Sequence, residues 1–350
     1  MAIQTTCIGA YPKPEYVKLP DWFNIPVGPD TADPTKSWLK AMQGLGPDAD
    51  AIISRGIAEV INDQVGAGIN IPTDGEVPRE NYIHYHCRNL NGFDFVNLTN
   101  KEVRGGAYSA NLPSIVGPVS AGNAFLANDW NRAQAMTDRP VKMTMPGPMT
   151  VSDTNADLFY NDPKKLGADI AVALNQEVLA LAEAGCKHIQ IDEPLFARKP
   201  TEALDYGFEN LERAFHGCPD DVTRTVHMCC GYPDRLDHPN YPKADPVSYF
   251  RIVDAIEDST IDAVSFEDAH RNNDLALLDR LRTTTAIFGV VAIAKSRIET
   301  VEEIRQRLLN ALEHIDPERL IAAPDCGLGL LPRASAVAKL GNLCDAAKTV

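Results

Sequence analysis

The chain has 350 residues, 44% hydrophobic and 23% charged, with a formal net charge of −15. This composition allows a large buried core, and so acidic a chain is excluded as a natural grip for the phosphate backbone of nucleic acid. No run of about 18 apolar residues occurs, so no membrane span is expected.

Short apolar, β-rich runs recur along the chain, most of them ending in Gly, Pro, Asp or Glu. In order they are TTCIGAYP (5–12), INIPTDGE (69–76), VKMTMPGP (141–148), HIQIDEP (188–194), RTVHMCC (224–230), DAVSFED (262–268), TTAIFGVVA (284–292) and RLIAAPDCG (319–327). They read as eight buried strands with polar residues gathered at their C-terminal ends. Apolar stripes at helical spacing cover 50–66 and 163–185, with Gly185 as a stop, and further helices are expected near 246–257, 273–282, 300–313 and 333–347. VGAGINIPTDGE and AEAGCKHIQIDEP look like two copies of one unit: helix end, Gly, strand, acidic tip. Two stretches break the rhythm. Residues 13–45 read as a long loop after the first strand, and 87–135 as an inserted hairpin or lid between the second and third. The pattern predicts an α/β fold, a (β/α)8 TIM barrel forming a single domain over 1–350. An open doubly wound sheet is disfavoured because no G-x-G-x-x-G follows the first strand.

The opening, MAIQTTCIGAYPKP, lacks the basic-then-apolar pattern of a secretory leader, so the expected setting is the cytoplasm. There the eight cysteines point to metal or catalytic roles, or to small buried hydrophobes, rather than to disulfides.

In a barrel of this kind the site forms at the C-terminal ends of the strands. Those ends carry Asp74 and Glu76, Asp192 and Glu193, His227 and Cys229, Glu267 and Asp268, and Asp325 and Cys326. Side chains alternate along a strand, so His227 and Cys229 share a face and Cys230 points elsewhere. Alone, H-x-C is most often a buried His and Cys. With Glu267 and Cys326 from neighbouring strands it becomes a His/Cys/Glu/Cys set, a mixture that suits Zn²⁺, while thiolates argue against Mg²⁺ or Ca²⁺. A vicinal Cys229–Cys230 disulfide is strained and rare. HYH (84–86) imitates a metal-binding H-x-H, but on a helix i and i+2 diverge, so it reads as structural or substrate-side.

IGAYPKP, DGEVPREN, PSIVGPVS, DRPVKMTMPGPMT, QIDEP, HMCCG, SFED and APDCGL follow one another in this order. Over nearly the whole chain they resemble the catalytic C-terminal half of the cobalamin-independent methionine synthase family. The resemblance implies a (β/α)8 barrel whose zinc, on His227, Cys229, Glu267 and Cys326, activates the thiol of homocysteine for methylation to methionine. It also implies an amino-acid pocket of backbone around Ile8, Gly9 and Ala10, with Glu76 and Asp192 facing the substrate ammonium and Glu193 and Asp268 supporting them. The plainer role for Glu76 and Asp192 is capping of helix N-termini.

Departures from the family pattern fall on the methyl-donor side. The chain has one barrel where the full synthase has two. After the seventh strand GVVAIAKSR replaces the family's D-x-H-S, leaving Ala292, Ala294 and Lys295 in the catalytic neighbourhood. Ala10 replaces a serine, VSDTNADLFY follows GPMT without the folate-stacking tryptophan, and GYPDRLDHPNYPKADP (231–246) is an insertion beside the zinc site. The expected donor is therefore either methyltetrahydrofolate or a methylcorrinoid on a carrier protein, with polyglutamyl folate disfavoured. Alternative readings are an epoxide:coenzyme M transferase, with Arg79, Lys295 and Arg297 clamping the sulfonate, a metal-free porphyrinogen decarboxylase-like enzyme, or a non-catalytic homocysteine or zinc binder.

Overall fold

The computed structural model describes residues 2–24, 32–103 and 108–350. In chain order the strands are β1 (Gln4–Thr5), β2 (Leu90–Val103), β3 (Tyr108–Ala121), β4 (Lys142–Pro146), β5 (Ala156–Asp157), β6 (His188–Asp192), β7 (Thr223–Met228), β8 (Ala263–Phe266), β9 (Thr285–Val291) and β10 (Leu320–Pro324). Seven of them form one parallel sheet in the order β1-β10-β9-β8-β7-β6-β4. The ring is closed by the second predicted strand, which pairs through Ile71 with Thr6 and through Thr73 with Lys142, both parallel. This stave amounts to two bridges rather than a ladder. Pro72 has no N–H to give, and positive φ at Gly75 (68°) and Glu76 (56°) turns the chain away at once. The architecture is the expected (β/α)8 barrel.

Helices Ala49–Ala67, Pro163–Ala184, Ser248–Glu257, Val301–Ala311 and Arg333–Ala347 pack outside the staves, close to the predicted spans. Gly68 and Gly185 end the first two in the left-handed conformation that only glycine adopts freely, so the two repeated units share their stop. Asp162 caps Lys164 and Lys165, and Thr300 with Glu303 forms a capping box. Among the described residues no helix is long and apolar enough to cross a membrane.

Three expectations are corrected. Residues 32–45, read as part of a loop, form the helix Ala32–Leu45, with Pro34 in its first turn, where a missing N–H costs nothing. The rest of the 13–45 stretch includes a 3₁₀ turn at Trp22–Asn24, and its residues 25–31 lie outside the described residues. The helix predicted at 273–282 is a 3₁₀ turn, Leu275–Arg280; Asn273 ahead of it is held by Asp268 and Arg307, so a regular first turn cannot form there. Residues 200–214, where no element was expected, hold short helical segments around a π turn at Ala203–Gly207.

The 87–135 insertion contains an antiparallel hairpin, β2 with β3, followed by the helix Leu126–Gln134; residues 104–107 lie outside the described residues. β3 also pairs in parallel with the short β5, so the hairpin belongs to a three-stranded sheet separate from the barrel sheet. Val103 and Leu112 of the hairpin reach the cavity at the C-terminal ends of the staves. The 231–246 insertion has no regular structure and folds over the same end.

Candidate metal and thiol site

Alternation along β7 delivers His227 and Cys229 to one face, and Cys326, two residues past the end of β10, lies beside them. The three donor atoms lie within 4.8 Å of one another, with His227 Nε2 3.4 Å from Cys326 Sγ. His227 Nδ1 bonds the Ser265 hydroxyl at 2.9 Å, which fixes the ring and leaves Nε2 for a ligand. Burial, with Lys142 nearby, holds His227 down at about 3, so the ring is neutral and its lone pair is free at pH 7. The Cys229 thiol is pushed far up by its contact with Cys326, then by burial, then by Glu267. Two thiols and a carboxylate crowded in apolar surroundings cannot all ionise alone. A soft-to-borderline dication removes that conflict, so this donor set fits zinc.

Cys230 faces away, as alternation requires. Its sulfur bonds the Tyr249 hydroxyl at 3.0 Å and accepts from Arg271 at 3.1 Å, and burial lifts the thiol to about 12. Glu267, expected as the fourth ligand, is not part of the three-donor group. It adjoins Cys229, but its Oε1 accepts from the Cys230 N–H at 3.0 Å and its Oε2 pairs with Lys243 at 3.2 Å.

A cavity of about 120 Å³ opens beside the three donors. Its walls include the expected Ile8, Gly9 and Ala10, together with Glu76 and Asp192. Glu76 Oε1 accepts from the Thr144 hydroxyl at 2.9 Å and lies 3.5 Å from Arg79, which also faces Asp74 at 3.5 Å. Asp192 accepts from Gln190 Nε2 at 2.7 Å. Burial raises both carboxyls, and each repels the other or a neighbour: Asp74 acts on Glu76, and Glu76 on Asp192. Neither caps a helix. That role belongs to Glu193, which accepts from the Met149 and Thr150 N–H groups at 2.8 and 3.1 Å and from the Thr150 hydroxyl at 2.8 Å. Burial still lifts Glu193 to about 8. It holds the Pro148–Asp153 helix, which gives Thr150 and Asp153 to the cavity wall. Asp268 likewise supports rather than lines: Arg307 grips it through both oxygens, at 2.6 and 2.8 Å.

Lys295 does not reach the site. It is exposed, because Ala292–Ala294 spend the inward positions before the chain turns out. The three-residue sulfonate clamp therefore does not form: Arg79 is buried against carboxylates, Lys295 is exposed, and exposed Arg297 pairs with Glu303. HYH is structural: it lies on the helix Tyr82–Cys87, His84 bonds Asn81 and Thr154, and His86 bonds the Tyr82 carbonyl.

Sequence reasoning missed several neighbours. Trp22, Phe23 and Tyr232 form an aromatic wall, with ring centroids 5.3 Å and 5.1 Å apart in succession, and all three line the cavity. Tyr232 is pinned through its hydroxyl to the Gly327 carbonyl at 2.8 Å. Where the family's histidine is lost, Ala294 N–H donates to His270 Nε2, whose Nδ1 is 2.7 Å from Asp325. Both His270 nitrogens are thus engaged, and the ring is not in the cavity wall. The aromatic richness of 16–23 and the SFEDAH run were the available signals.

Residues 28–349 match the family model described as the cobalamin-independent synthase, catalytic domain. The chain is 30% identical to a methionine synthase of Saccharolobus solfataricus, covering 99% of this chain and 95% of that one, and 27% identical to one of Sulfolobus acidocaldarius, covering 97% and 90%. Among solved structures it is similar to a B12-independent methionine synthase from Shewanella sp. W3-18-1 in complex with selenomethionine, with a TM-score of 0.86, 29% identity and coverage of 99% and 97%. A methyltransferase from Methanosarcina mazei shares the fold, with a TM-score of 0.60 at 13% identity.

Proposed function

Because this chain belongs to the cobalamin-independent methionine synthase catalytic-domain family, we propose that it methylates the thiol of homocysteine beside a zinc ion held by His227, Cys229 and Cys326. The chain is a methyltransferase of the methionine synthase type. The observation that carries the finer reading is a single cavity with three converging soft donors at one end and two raised carboxyls, Glu76 and Asp192, on its wall. A buried carboxylate is costly unless a cation meets it. A substrate with an ammonium and a thiol answers both halves.

When bound, zinc supplies the Lewis acidity that makes a thiol a nucleophile at neutral pH. His227, oriented by Ser265, and the two cysteines hold that chemistry in place. Glu76, fixed by Thr144 and Arg79, and Asp192, fixed by Gln190, receive the ammonium and set the direction of the thiol. The aromatic wall and the hairpin residues Val103 and Leu112 exclude water from the reacting face, which gives the hairpin the part of a lid. In the transfer the new S–CH₃ bond forms as the donor's bond to methyl breaks, and the thiol proton is released.

The donor is one other than polyglutamyl methyltetrahydrofolate, such as a methylcorrinoid on a carrier protein. Support comes from the donor-side departures: no stacking tryptophan after GPMT, and no Asp/His pair after β9. A reducing cytoplasmic setting suits eight cysteines that are all free. The test is methionine formation from homocysteine with methyltetrahydrofolate or methylcobalamin, with and without zinc. Robust folate-dependent turnover rejects the donor assignment. Full activity in metal-free protein rejects the zinc assignment.

A further inference from the structure

A second cavity, of about 360 Å³, opens at the other end of the barrel, among the N-terminal ends of the staves. Ile8, Ala263, Ile287 and Ala323 pack as one cluster inside the barrel; Ile8 lines the upper cavity, and Ala263 and Ile287 line the lower one. One apolar layer therefore separates the two, and the proposed transfer makes no use of the lower one. Lys142 lines it from the first position of β4. This lysine is 2% exposed, and its Nζ has no hydrogen-bond partner among the described residues. Asp192 of the upper cavity is felt electrostatically but makes no bond to it. Burial pulls the ammonium down to about 8, so at pH 7 it keeps its charge. His188 stands in register beside it and lines the same cavity, its ring also without a partner among the described residues. Burial, with Lys142 nearby, holds that ring down at about 4, and a neutral imidazole N–H donates to an anion.

The mouth of this cavity has the opposite sign. Asp221 there pairs with Lys187 and Asp262 with Arg224, but Asp220 and Glu318, both exposed, have no ion pair among the described residues. An ammonium buried without an acceptor is costly. A simple anion would answer it only by facing an acidic rim. A molecule with a carboxylate at one end and an ammonium at the other meets both charges, and Ile71, Ile287 and Ile321 offer an apolar wall to the carbons between them. We propose that the N-terminal cavity binds a small aliphatic amino acid, with its carboxylate on Lys142 and His188 and its ammonium toward Asp220 and Glu318. This site is independent of the metal and of the reading of the upper cavity.

Saturation-transfer NMR on the full chain tests it, with L-alanine and 4-aminobutyrate as probes and acetate and methylamine as their single-charge halves. The two amino acids differ in the spacing of their charges and so report which spacing the cavity takes. All titrations are run in wild type and in an Asp192→Asn background, which takes amino-acid binding by the upper cavity out of the signal. In that background at least one amino acid binds about tenfold or more tighter than either half. Adding Lys142→Met weakens it by roughly 30-fold or more, because the carboxylate loses its cation. Adding Asp220→Asn with Glu318→Gln weakens it by about 3–10-fold and leaves acetate unchanged. Circular dichroism establishes folding, and if the Lys142→Met protein does not fold, the exposed rim pair decides. Acetate binding as tightly as both amino acids overturns the proposal, as does amino-acid binding that survives Lys142→Met or disappears with Asp192→Asn alone. A cavity that holds only water, with no probe bound at tens of millimolar, overturns it too.

Discussion

Asp192→Asn separates recognition of the amine from everything else the site does. Asp192 Oδ1 accepts from Gln190 at 2.7 Å, and an asparagine carbonyl keeps that bond, so the side chain holds its place while its charge goes. Removing one partner of a buried charge pair costs about 3–5 kcal/mol when nothing else compensates. Here Glu76 remains on the same wall, though Arg79 already draws on it at 3.5 Å, so the expected cost is lower, about 2–3 kcal/mol. That is a loss of roughly 30–150-fold in homocysteine affinity. Calorimetric titration of zinc-loaded protein with homocysteine and with 4-mercaptobutyrate, which lacks only the amine, reads it directly. Wild type prefers homocysteine by at least that factor, and Asp192→Asn reduces the preference by that factor by weakening homocysteine alone. Equal weakening of both ligands, or no weakening of either, would refute the assignment of Asp192 to the ammonium.

Cys326→Ser lowers zinc affinity by roughly 100-fold or more and abolishes transfer, because a hydroxyl is a poor zinc ligand at neutral pH; a variant with full metal content and activity removes Cys326 from the site. Gly9→Ala places a Cβ 2.8 Å from Glu76 Oε1, so it raises the homocysteine KM by about tenfold with little change in melting temperature; a normal KM contradicts the position given to Glu76. Gly147→Ala sets a Cβ 2.2 Å from Glu193, breaking the buried cap of the Pro148–Asp153 helix, and destabilises the fold by about 2 kcal/mol or more in chemical denaturation. Burial, with Glu76 nearby, raises the folded-state carboxyl of Asp192, so above about pH 4 the native apo-protein retains a proton that the unfolded chain releases. Wild-type apo stability therefore falls as pH rises through that window. Asp192→Asn lacks this slope, and its apo form melts higher by about 2–4 °C at pH 7 while matching wild type near pH 3; a lower melting point at both pH values contradicts the burial penalty.

The features that were legible in the sequence were those governed by period. Strand alternation separated Cys229 from Cys230, and the recurrence of acidic and sulfur tips marked the C-terminal ends of the staves. The helix stop at Gly185 followed from the same local rules, whereas the 50–66 helix runs past Gly66 and stops at Gly68. What escaped depends on direction rather than spacing. Pro72 with the turn at Gly75–Glu76 shrank a predicted strand to two bridges. Lys295 has the right address for the site but faces solvent. Lys243 has the wrong address, 14 residues past Cys229, yet its loop folds back onto Glu267. The aromatic wall joins Trp22 and Phe23 to Tyr232, some 210 residues apart, and no local pattern announces such a meeting.

The charge layout bears on the proposed division of the site into a thiol half and a donor half. Arg79 sits between Asp74 and Glu76, and one guanidinium cannot neutralise two carboxylates; Asp192 adds a third. The cavity is therefore short of positive charge on its recognition wall, and on its metal side the crowded thiols are short of it as well. A thiol ending in sulfonate would bring a further negative charge to that wall, where Arg79 is already engaged by Asp74 and Glu76. The preference for an aminothiol is thus built from an electrostatic deficit rather than from contacts specific to one side chain. On the proposed reading the donor meets a different part of the cavity, where Trp22, Phe23, Tyr232, Val103 and Leu112 lie. On that reading, changes there would alter which methyl carrier fits without touching the charges that select the acceptor.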